Sequence, residues 1–557
     1  MENVSEGKER LRLTRRELLM LLGTGAASVA VAACSGGSTA PSPAQAPGAT
    51  KAPGAAQAPA PATAPSSSGT KAEKVVTIAQ YADEVSLDPQ DTNDNASYGP
   101  EKCMLEGLIG FNGKMEQIPQ LAEKWDASPD ATVYTFHLRQ GVKFQDGTPF
   151  NADAVKFNFD RIRNPDNKLK RYSLFKVIKQ VDAVDENTVR FTLSEPFGAM
   201  IATFAHPAGA ISSPAAIKKY GADYGKHPVG TGPYQFSEWV PGDHLTMVKN
   251  PDYWDKNNGP KVDKIIVKPV PEDGTRIAML QRGDAQFINN VPYALAATVK
   301  GNKDLSLVET PSIYTYWVAM NTQKKPYDNV KVRQALNYAI DKEAIIKSVL
   351  AGYARLSDSP LATGVWGYTK VMSYPYDTAK AKQLLTDAGL PNGFKTTMRG
   401  ANDTTAKQVM EAIQAQLAKV GIQAEVQSLD AATLSAERFK PLDQNKGELN
   451  YAGWSPSTGD ADWGLRPLLT KDNWPPSNFN VAFYTDPKFE QDIKDGLQTA
   501  DTEKRKAAYA DAQKVVMEDA PWGFLWSTTL LGGSRSNVGG ISLQPDGIGF
   551  YRSVYFK

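Results

Sequence analysis

The chain has 557 residues, with 62 basic against 61 acidic side chains and a formal net charge of +1 at pH 7. That balance excludes a polybasic surface for nucleic acid or for anionic lipid. Its two cysteines, Cys34 and Cys103, and four scattered histidines, His137, His206, His227 and His244, offer neither a disulfide framework nor metal-ligand spacing, so no metal and no cofactor is expected.

At the N-terminus Arg10, Arg12, Arg15 and Arg16 precede an uncharged run, Leu18 to Ala33, which stops at Val31-Ala32-Ala33-Cys34. A basic start, a short apolar core and small residues before a cleavage point describe a bacterial export signal. Thr14-Arg15-Arg16-Glu17-Leu18-Leu19 resembles a twin-arginine signal, which exports folded proteins. Cys34 after two alanines resembles the lipid-acceptor cysteine of bacterial lipoproteins, although Val31 stands where that motif most often has Leu. The competing reading is a permanent membrane helix, but the run falls short of the ~20 apolar residues a span needs. From Ser35 to about Lys71 there is no aromatic and no acidic side chain, so 35–73 is expected to be a disordered tether reaching roughly 35 Å. The mature protein would then sit on the outer face of the cytoplasmic membrane, held by an acylated Cys34.

The rest is too long for one small domain and is expected to form two or three lobes. Val75-Val76-Thr77-Ile78-Ala79 reads as a strand, and Asp91-Thr92-Asn93-Asp94-Asn95 as a polar turn. Cys103 is expected in the core. Tyr134, Phe136 and Leu138 alternate with polar neighbours, as do Val189, Phe191 and Leu193, predicting half-buried strands in a β-rich lobe over 118–229. Later the period changes to helical: Val332, Ala335, Leu336, Ala339 and Ile340, then Val409, Ile413, Leu417 and Val420 with Gly421 as a C-terminal cap before Ala424-Glu425-Val426. Asp377 with Leu384, Leu385 and Gly389 predicts another helix, and Ala508, Ala512, Val515 and Val516 one more. Alternating helices and strands argue α/β layers.

Within this pattern Gly453-Trp454-Ser455-Pro456-Ser457-Thr458-Gly459-Asp460-Ala461-Asp462-Trp463, followed by Asn473-Trp474-Pro475-Pro476, stands apart. Its prolines and glycines argue for a loop, and its aromatic faces, hydroxyls and carboxylates suit ligand contact. The alternative is a surface loop whose tryptophans pin it to the core and whose aspartates cap turns. Catalytic constellations are absent: no His-Glu-x-x-His, no phosphate loop, no Gly-x-Ser-x-Gly. Gly230-Thr231-Gly232 is followed by Pro233, which rules out the helix start of a dinucleotide loop. Asp460 and Asp462 could form an acid/base pair, but carboxylates two apart in a loop more often cap, pair or bind. No enzyme and no catalytic residue is therefore expected.

The motifs Tyr134-Thr135-Phe136-His137-Leu138-Arg139-Gln140-Gly141-Val142-Lys143-Phe144 with Asp146-Gly147-Thr148-Pro149-Phe150-Asn151-Ala152, then Pro228 to Tyr234, Lys249-Asn250-Pro251-Asp252-Tyr253-Trp254, Asn321 with Lys331 to Leu336, and Gly453-Trp454 resemble the large extracytoplasmic solute-binding proteins of peptide and nickel ABC importers, family 5. Asn167 to Tyr172, Ala205-His206-Pro207-Ala208, the Gly453–Gly459 stretch, Ala461-Asp462-Trp463 and Asn473 to Pro476 are similar to its glutathione-binding branch. The resemblance runs from about residue 74 to the C-terminus.

It implies an α/β, two-lobe periplasmic-binding-protein fold of class II, with a hinged cleft and an extra β-rich lobe, in the large peptide-binding subtype. Residues 74–117, 230–310 and 528–557 would form the first lobe, 118–229 the extra lobe and 311–527 the second. It also implies a monomer that captures glutathione or a similar short peptide by lobe closure and delivers it to an ABC permease with its ATPase subunits. The alternative is the same role for dipeptides, oligopeptides, a metal chelate or another small solute. Family members usually hold the ligand ammonium with an aspartate three residues after the Gly-Trp tryptophan, and Ser457 stands there, so Asp460 or Asp462 would take that task. Arg399, after the strand-like Thr396-Thr397-Met398, is the candidate for a ligand carboxylate. Trp454, Ser457, Thr458 and Trp474, with Tyr98 and Tyr316, complete the expected ligand-binding set, and Cys34 is the expected lipidation site.

Overall fold

A computed structural model describes residues 73–557. The export signal, Cys34 and the tether up to residue 72 lie outside the described residues.

An eleven-stranded mixed sheet organises the molecule. In one half Tyr234–Val240, His244–Lys249, Lys264–Pro269, Val75–Gln80 and Phe287–Ile288 lie side by side, with Val75–Gln80 parallel to both of its neighbours. In the other half Leu449–Trp454, Phe394–Ala401 and Ile422–Leu429 pair in parallel. Two long antiparallel strands, Leu305–Met320 of 16 residues and Trp522–Arg535 of 14, run between the halves and belong to both. Their ladder is continuous from Leu305↔Arg535 to Pro311↔Thr529, breaks, and resumes at Thr315↔Ser527. The sequence accounts for the break. Pro311 has no N–H to give to a ladder, and the Ser312 hydroxyl donates to Thr528 O at 2.8 Å in place of a backbone group.

The periodicities read from the sequence fall where strands and helices form. Tyr134, Phe136 and Leu138 are buried on Val133–Leu138, and Val189, Phe191 and Leu193 on Thr188–Leu193, in a four-stranded antiparallel sheet completed by Ala122–Ala127 and Ile178–Asp185. Phe136, Phe159, Phe191 and Phe204 meet edge to face or tilted in its core, with ring centroids 4.7–5.6 Å apart. Helix Val330–Ala339 buries Val332, Ala335, Leu336 and Ala339. Thr404–Ala418 buries Val409, Ile413 and Leu417, and Gly421 follows it in the left-handed region, at φ 90°. Asp377 caps Thr378–Asp387 through Lys380 N. Cys103 is buried without a disulfide partner.

One local expectation is corrected. The stretch from Gly453 to Trp463 is not loop throughout: strand Leu449–Trp454 takes its first two residues, and helix Ala461–Leu469 its last three. Asp460 accepts from Asp462 N at 3.0 Å and so starts that helix, which leaves only 455–459 as loop, with Gly459 at φ 68°. Pro456 and Gly459 break the chain where expected, but an N-cap aspartate starts a helix as readily as it closes a turn.

Candidate ligand-binding site

The structure gives both loop aspartates cations from the chain itself. Asp460 is 2 % exposed, and one terminal nitrogen of Arg505 reaches both of its carboxylate oxygens at 2.9 Å. Asp462 takes a forked pair of hydrogen bonds from Arg466, at 2.8 and 2.7 Å. Burial raises the Asp460 carboxyl above its ordinary value while Arg505 pulls it back down. Asp460 also lines a cavity of about 700 Å³ beside Trp125, Tyr134 and Trp366, but its charge there is already neutralised by Arg505 on the same wall. Carboxylates so engaged are poor receptors for a ligand ammonium, because recruiting them leaves a buried guanidinium unpaired.

The tryptophans are structural as well. Trp454 donates its indole N–H to Trp463 O at 2.9 Å and packs on Trp463 and Phe479, and Trp474 donates to Tyr484 O at 2.8 Å. Thr458 is buried, its hydroxyl accepting a long bond from Asp460 N, while Ser457 is half-buried. Tyr98 lies in the other half, its hydroxyl donating to Thr92 O at 2.7 Å and accepting from Arg171. Arg399 is 4 % exposed, and its guanidinium makes a single hydrogen bond, to Glu437 O at the 3.5 Å limit. The structure therefore does not gather the predicted set into one place.

Of that set, Tyr316 meets a different group of residues. Against the neighbouring strands Leu305–Met320, Leu449–Trp454 and Trp522–Arg535 is a cavity of about 280 Å³ walled by Tyr293, Tyr314, Tyr316, Tyr451 and Trp526, with Arg438 beside them. Tyr314 and Tyr316 share one strand face at a centroid separation of 5.0 Å, and Tyr316 stacks on Tyr451 at 5.8 Å. Gly453 makes this possible. A Cβ there would stand 2.5 Å from the Tyr314 ring and 2.9 Å from Tyr316, closer than carbon atoms tolerate. Burial raises the phenols of Tyr314, Tyr316 and Tyr451, so each stays protonated and able to donate.

Arg438 ends helix Ala431–Arg438 and donates from Nη2 to Tyr451 O at 2.9 Å. Its Nε is buried with no acceptor, and among the described residues no carboxylate pairs with it. Burial, and then the neighbouring Arg399, push its guanidinium down to about 10, well above neutral pH. On the same rim Asp403 caps helix Thr404–Ala418 through Ala406 N at 2.9 Å. The cavity thus combines flat aromatic walls, protonated phenols and one unmatched cation. That inventory suits the amide planes and a carboxylate of a small peptide. Sequence reasoning found Tyr316 and missed its neighbours. Tyr314-x-Tyr316 carried a signal, since residues two apart in a strand share a face; Arg438, at the end of a polar helix, carried none.

Among the described residues no group of three or more His, Cys, Asp or Glu is placed to hold a metal, and no helix is long and apolar enough to cross a membrane.

Two sheet halves sharing two long strands, with an aromatic cavity beside those strands, define a protein that binds a small solute. Residues 116–476 match the model of bacterial extracellular solute-binding proteins, family 5 middle region, and the chain belongs to that family. It is 45% identical over 477 residues to the glutathione-binding protein GsiB of Pectobacterium atrosepticum, covering 85% of this chain and 93% of that one. It is 43% identical, with the same coverage, to GsiB of Salmonella typhimurium. Among solved structures it is similar to the ABC transporter-associated periplasmic binding protein DppA of Helicobacter pylori in complex with the peptide STSA, with a TM-score of 0.72, 30% identity and coverage of 86% of this chain and 98% of that one. It is also similar to HbpA2 of Haemophilus parasuis, with a TM-score of 0.77, 28% identity and coverage of 87% and 100%.

Proposed function

We propose that this chain is the substrate-binding component of an ABC importer, that it captures glutathione or a similar short peptide without chemically altering it, and that it hands the peptide to a membrane permease. The observation that carries this reading is the aromatic cavity with the unmatched Arg438. A guanidinium with a buried, unused donor costs the empty protein free energy, and a ligand carboxylate removes that cost. The GsiB relatives and the peptide-bound DppA support the ligand class.

The lobes expected from the sequence, 74–117 with 230–310 and 528–557, 118–229, and 311–527, would close about the two shared strands. The ladder break at Pro311 to Thr315 supports that hinge position. Ligand would favour the closed state by its differential affinity for it, and the permease would read that state. The monomer would be tethered outside the cytoplasmic membrane through Cys34, a reading supported by the twin arginines and the small residues before it.

Titration calorimetry of the purified protein with glutathione tests the assignment. Removing one partner of a desolvated charge pair costs ~2 to 5 kcal/mol, so Arg438→Met should weaken binding by ~30-fold or more. An unchanged affinity in that variant would remove this cavity as the site.

A further inference from the structure

A second, smaller space of about 30 Å³ lies where helix Asn95–Met104 faces the segment from Ala205 to Ala210. Glu101, Lys102, His206 and Arg552 contribute to its wall. Both basic groups there have acceptors. Arg552 donates to Glu106 Oε1 at 2.6 Å, and Lys102 donates to the Gln544 side chain, with Asp546 near enough to favour its charge.

Glu101 and His206 do not. Glu101 is 2 % exposed and neither carboxyl oxygen has a hydrogen-bond partner. The Thr92 hydroxyl, close enough to favour the charged form, donates instead to Ser86 O at 3.1 Å. His206 is equally buried, and its Nδ1 accepts from Ala208 N at 3.0 Å. A backbone N–H can only donate, so the proton of the neutral ring sits on Nε2, and that N–H has no acceptor. Among the described residues, one small cavity therefore holds a carboxyl group and an imidazole N–H that both lack a partner.

The groups facing Glu101 are Asp88, Asp94, Tyr98, Lys102 and Arg171, and those facing His206 are Tyr98, Lys102 and Arg171. Burial first, then Asp88, raise the Glu101 carboxyl well above its ordinary value against the pull of Arg171, which favours the neutral acid while the cavity is empty. A cation seated against Glu101 would reverse that balance. The space is wide enough for a small group such as an ammonium head.

We propose that this cavity is a subsite for one protonated primary amine, seated on the Glu101 carboxylate, with His206 Nε2–H bonded to the same carboxylate. The balance is an exchange: the amine enters as R–NH3+, the Glu101 proton leaves to solvent, and the R–NH3+ bonds to the carboxylate so formed. The amine has two sources, the amino terminus of a bound peptide or a free small amine. The first rests on the peptide-capture reading; the second does not.

Calorimetry with glutathione and N-acetylglutathione, in two buffers of different ionisation enthalpy, is paired with saturation-transfer NMR of methylammonium, on wild type and Glu101→Gln. Because the amide replaces a neutral acid of the same shape, the variant should melt as wild type does. From a peptide source, N-acetylation and Glu101→Gln should each weaken binding by ~30-fold, with no further loss when combined, and release of about one proton should vanish in the variant. From a free amine, methylammonium saturation transfer should be present in wild type and lost in Glu101→Gln, while N-acetylglutathione binds as glutathione does. Equal weakening of both peptides by Glu101→Gln would overturn the proposal, since that is a structural effect. So would the absence of both a methylammonium signal and an N-acetylation penalty, which would assign the space to water. If Glu101→Gln failed to fold, Glu101→Asp would take its place, and the same loss of methylammonium signal or of the N-acetylation penalty would decide. If wild type bound no glutathione, the peptide-capture reading would fail by itself and methylammonium would decide the subsite.

Discussion

Asp460 shows how one residue's role changes when its neighbours are known. From the sequence it was the leading candidate to receive a ligand ammonium; in the structure it caps helix Ala461–Leu469 and neutralises Arg505. Removing one member of a buried ion pair costs ~3 to 5 kcal/mol, and loss of an N-cap adds ~1 kcal/mol. Asp460→Ala should therefore lower the melting temperature by several degrees, and its effect on ligand affinity should follow from that instability. A variant that melts like wild type yet loses glutathione would restore the ligand role. Glu84 offers a second test at this scale. It is buried, its Oε2 has no partner, and burial followed by Asp83 raises its carboxyl from 4.5 to about 9. A raised acid contributes stability that is fully present below the unfolded value and lost as pH rises through the folded one. Glu84→Gln carries no titrating proton, so its melting temperature relative to wild type should climb from about pH 4.5 to about pH 9. Melting curves at intervals across that window would show the trend, and a constant difference would contradict a protonated Glu84.

Among the elements, what could be read depended on how local the signal was. Alternation at Tyr134, Phe136 and Leu138, and helical spacing at Val332, Ala335, Leu336 and Ala339, report burial of one face, which is a property of a short segment. The aromatic cavity is not local. It needs Tyr316 beside Tyr451 across a ladder and Arg438 at the end of a helix, placements that only the tertiary arrangement creates. The same holds for Asp460 and Arg505, which lie 45 residues apart in sequence. Gly453 gives this scale its prediction. It was visible as the start of a motif, but its purpose, to let two tyrosines lie flat over the strand, depends on Tyr314 and Tyr316 pairing beside it. Gly453→Ala should push both rings off their positions, since the clash is with ring carbons packed on either side. Glutathione affinity should drop by ~10-fold or more for a loss of ~1.4 kcal/mol, with far-ultraviolet circular dichroism unchanged. Wild-type affinity would show that the rings have room to give way.

For the whole molecule, the sequence order of the strands conceals its halves. Residues 305–320 and 522–535 are far apart in the chain, yet each passes through both parts of the eleven-stranded sheet. Family resemblance implied that arrangement; composition and periodicity did not, because neither records which strands become neighbours. The proposed attachment to the membrane would act on the molecule entire. If Cys34 carries the lipid, Cys34→Ser should move the protein from the membrane pellet to the soluble fraction after export, with peptide affinity unaltered. Membrane fractionation alongside calorimetry checks both parts, and a variant that still pellets would end the anchoring reading.

The two long strands also set how the protein bears load. A transporter that draws out a captured peptide has to pull the halves apart, and in many two-part proteins that force falls on a flexible linker or on side-chain contacts. Here it falls on two extended backbones lying side by side, each already near its full contour length. Such a joint would yield by twisting at the few residues around Ser312 that leave the ladder between the two strands, and hardly at all by stretching. Under the proposed closure the halves would turn against each other without either strand leaving the shared sheet, so the protein would be emptied and reused without any part of its fold being remade.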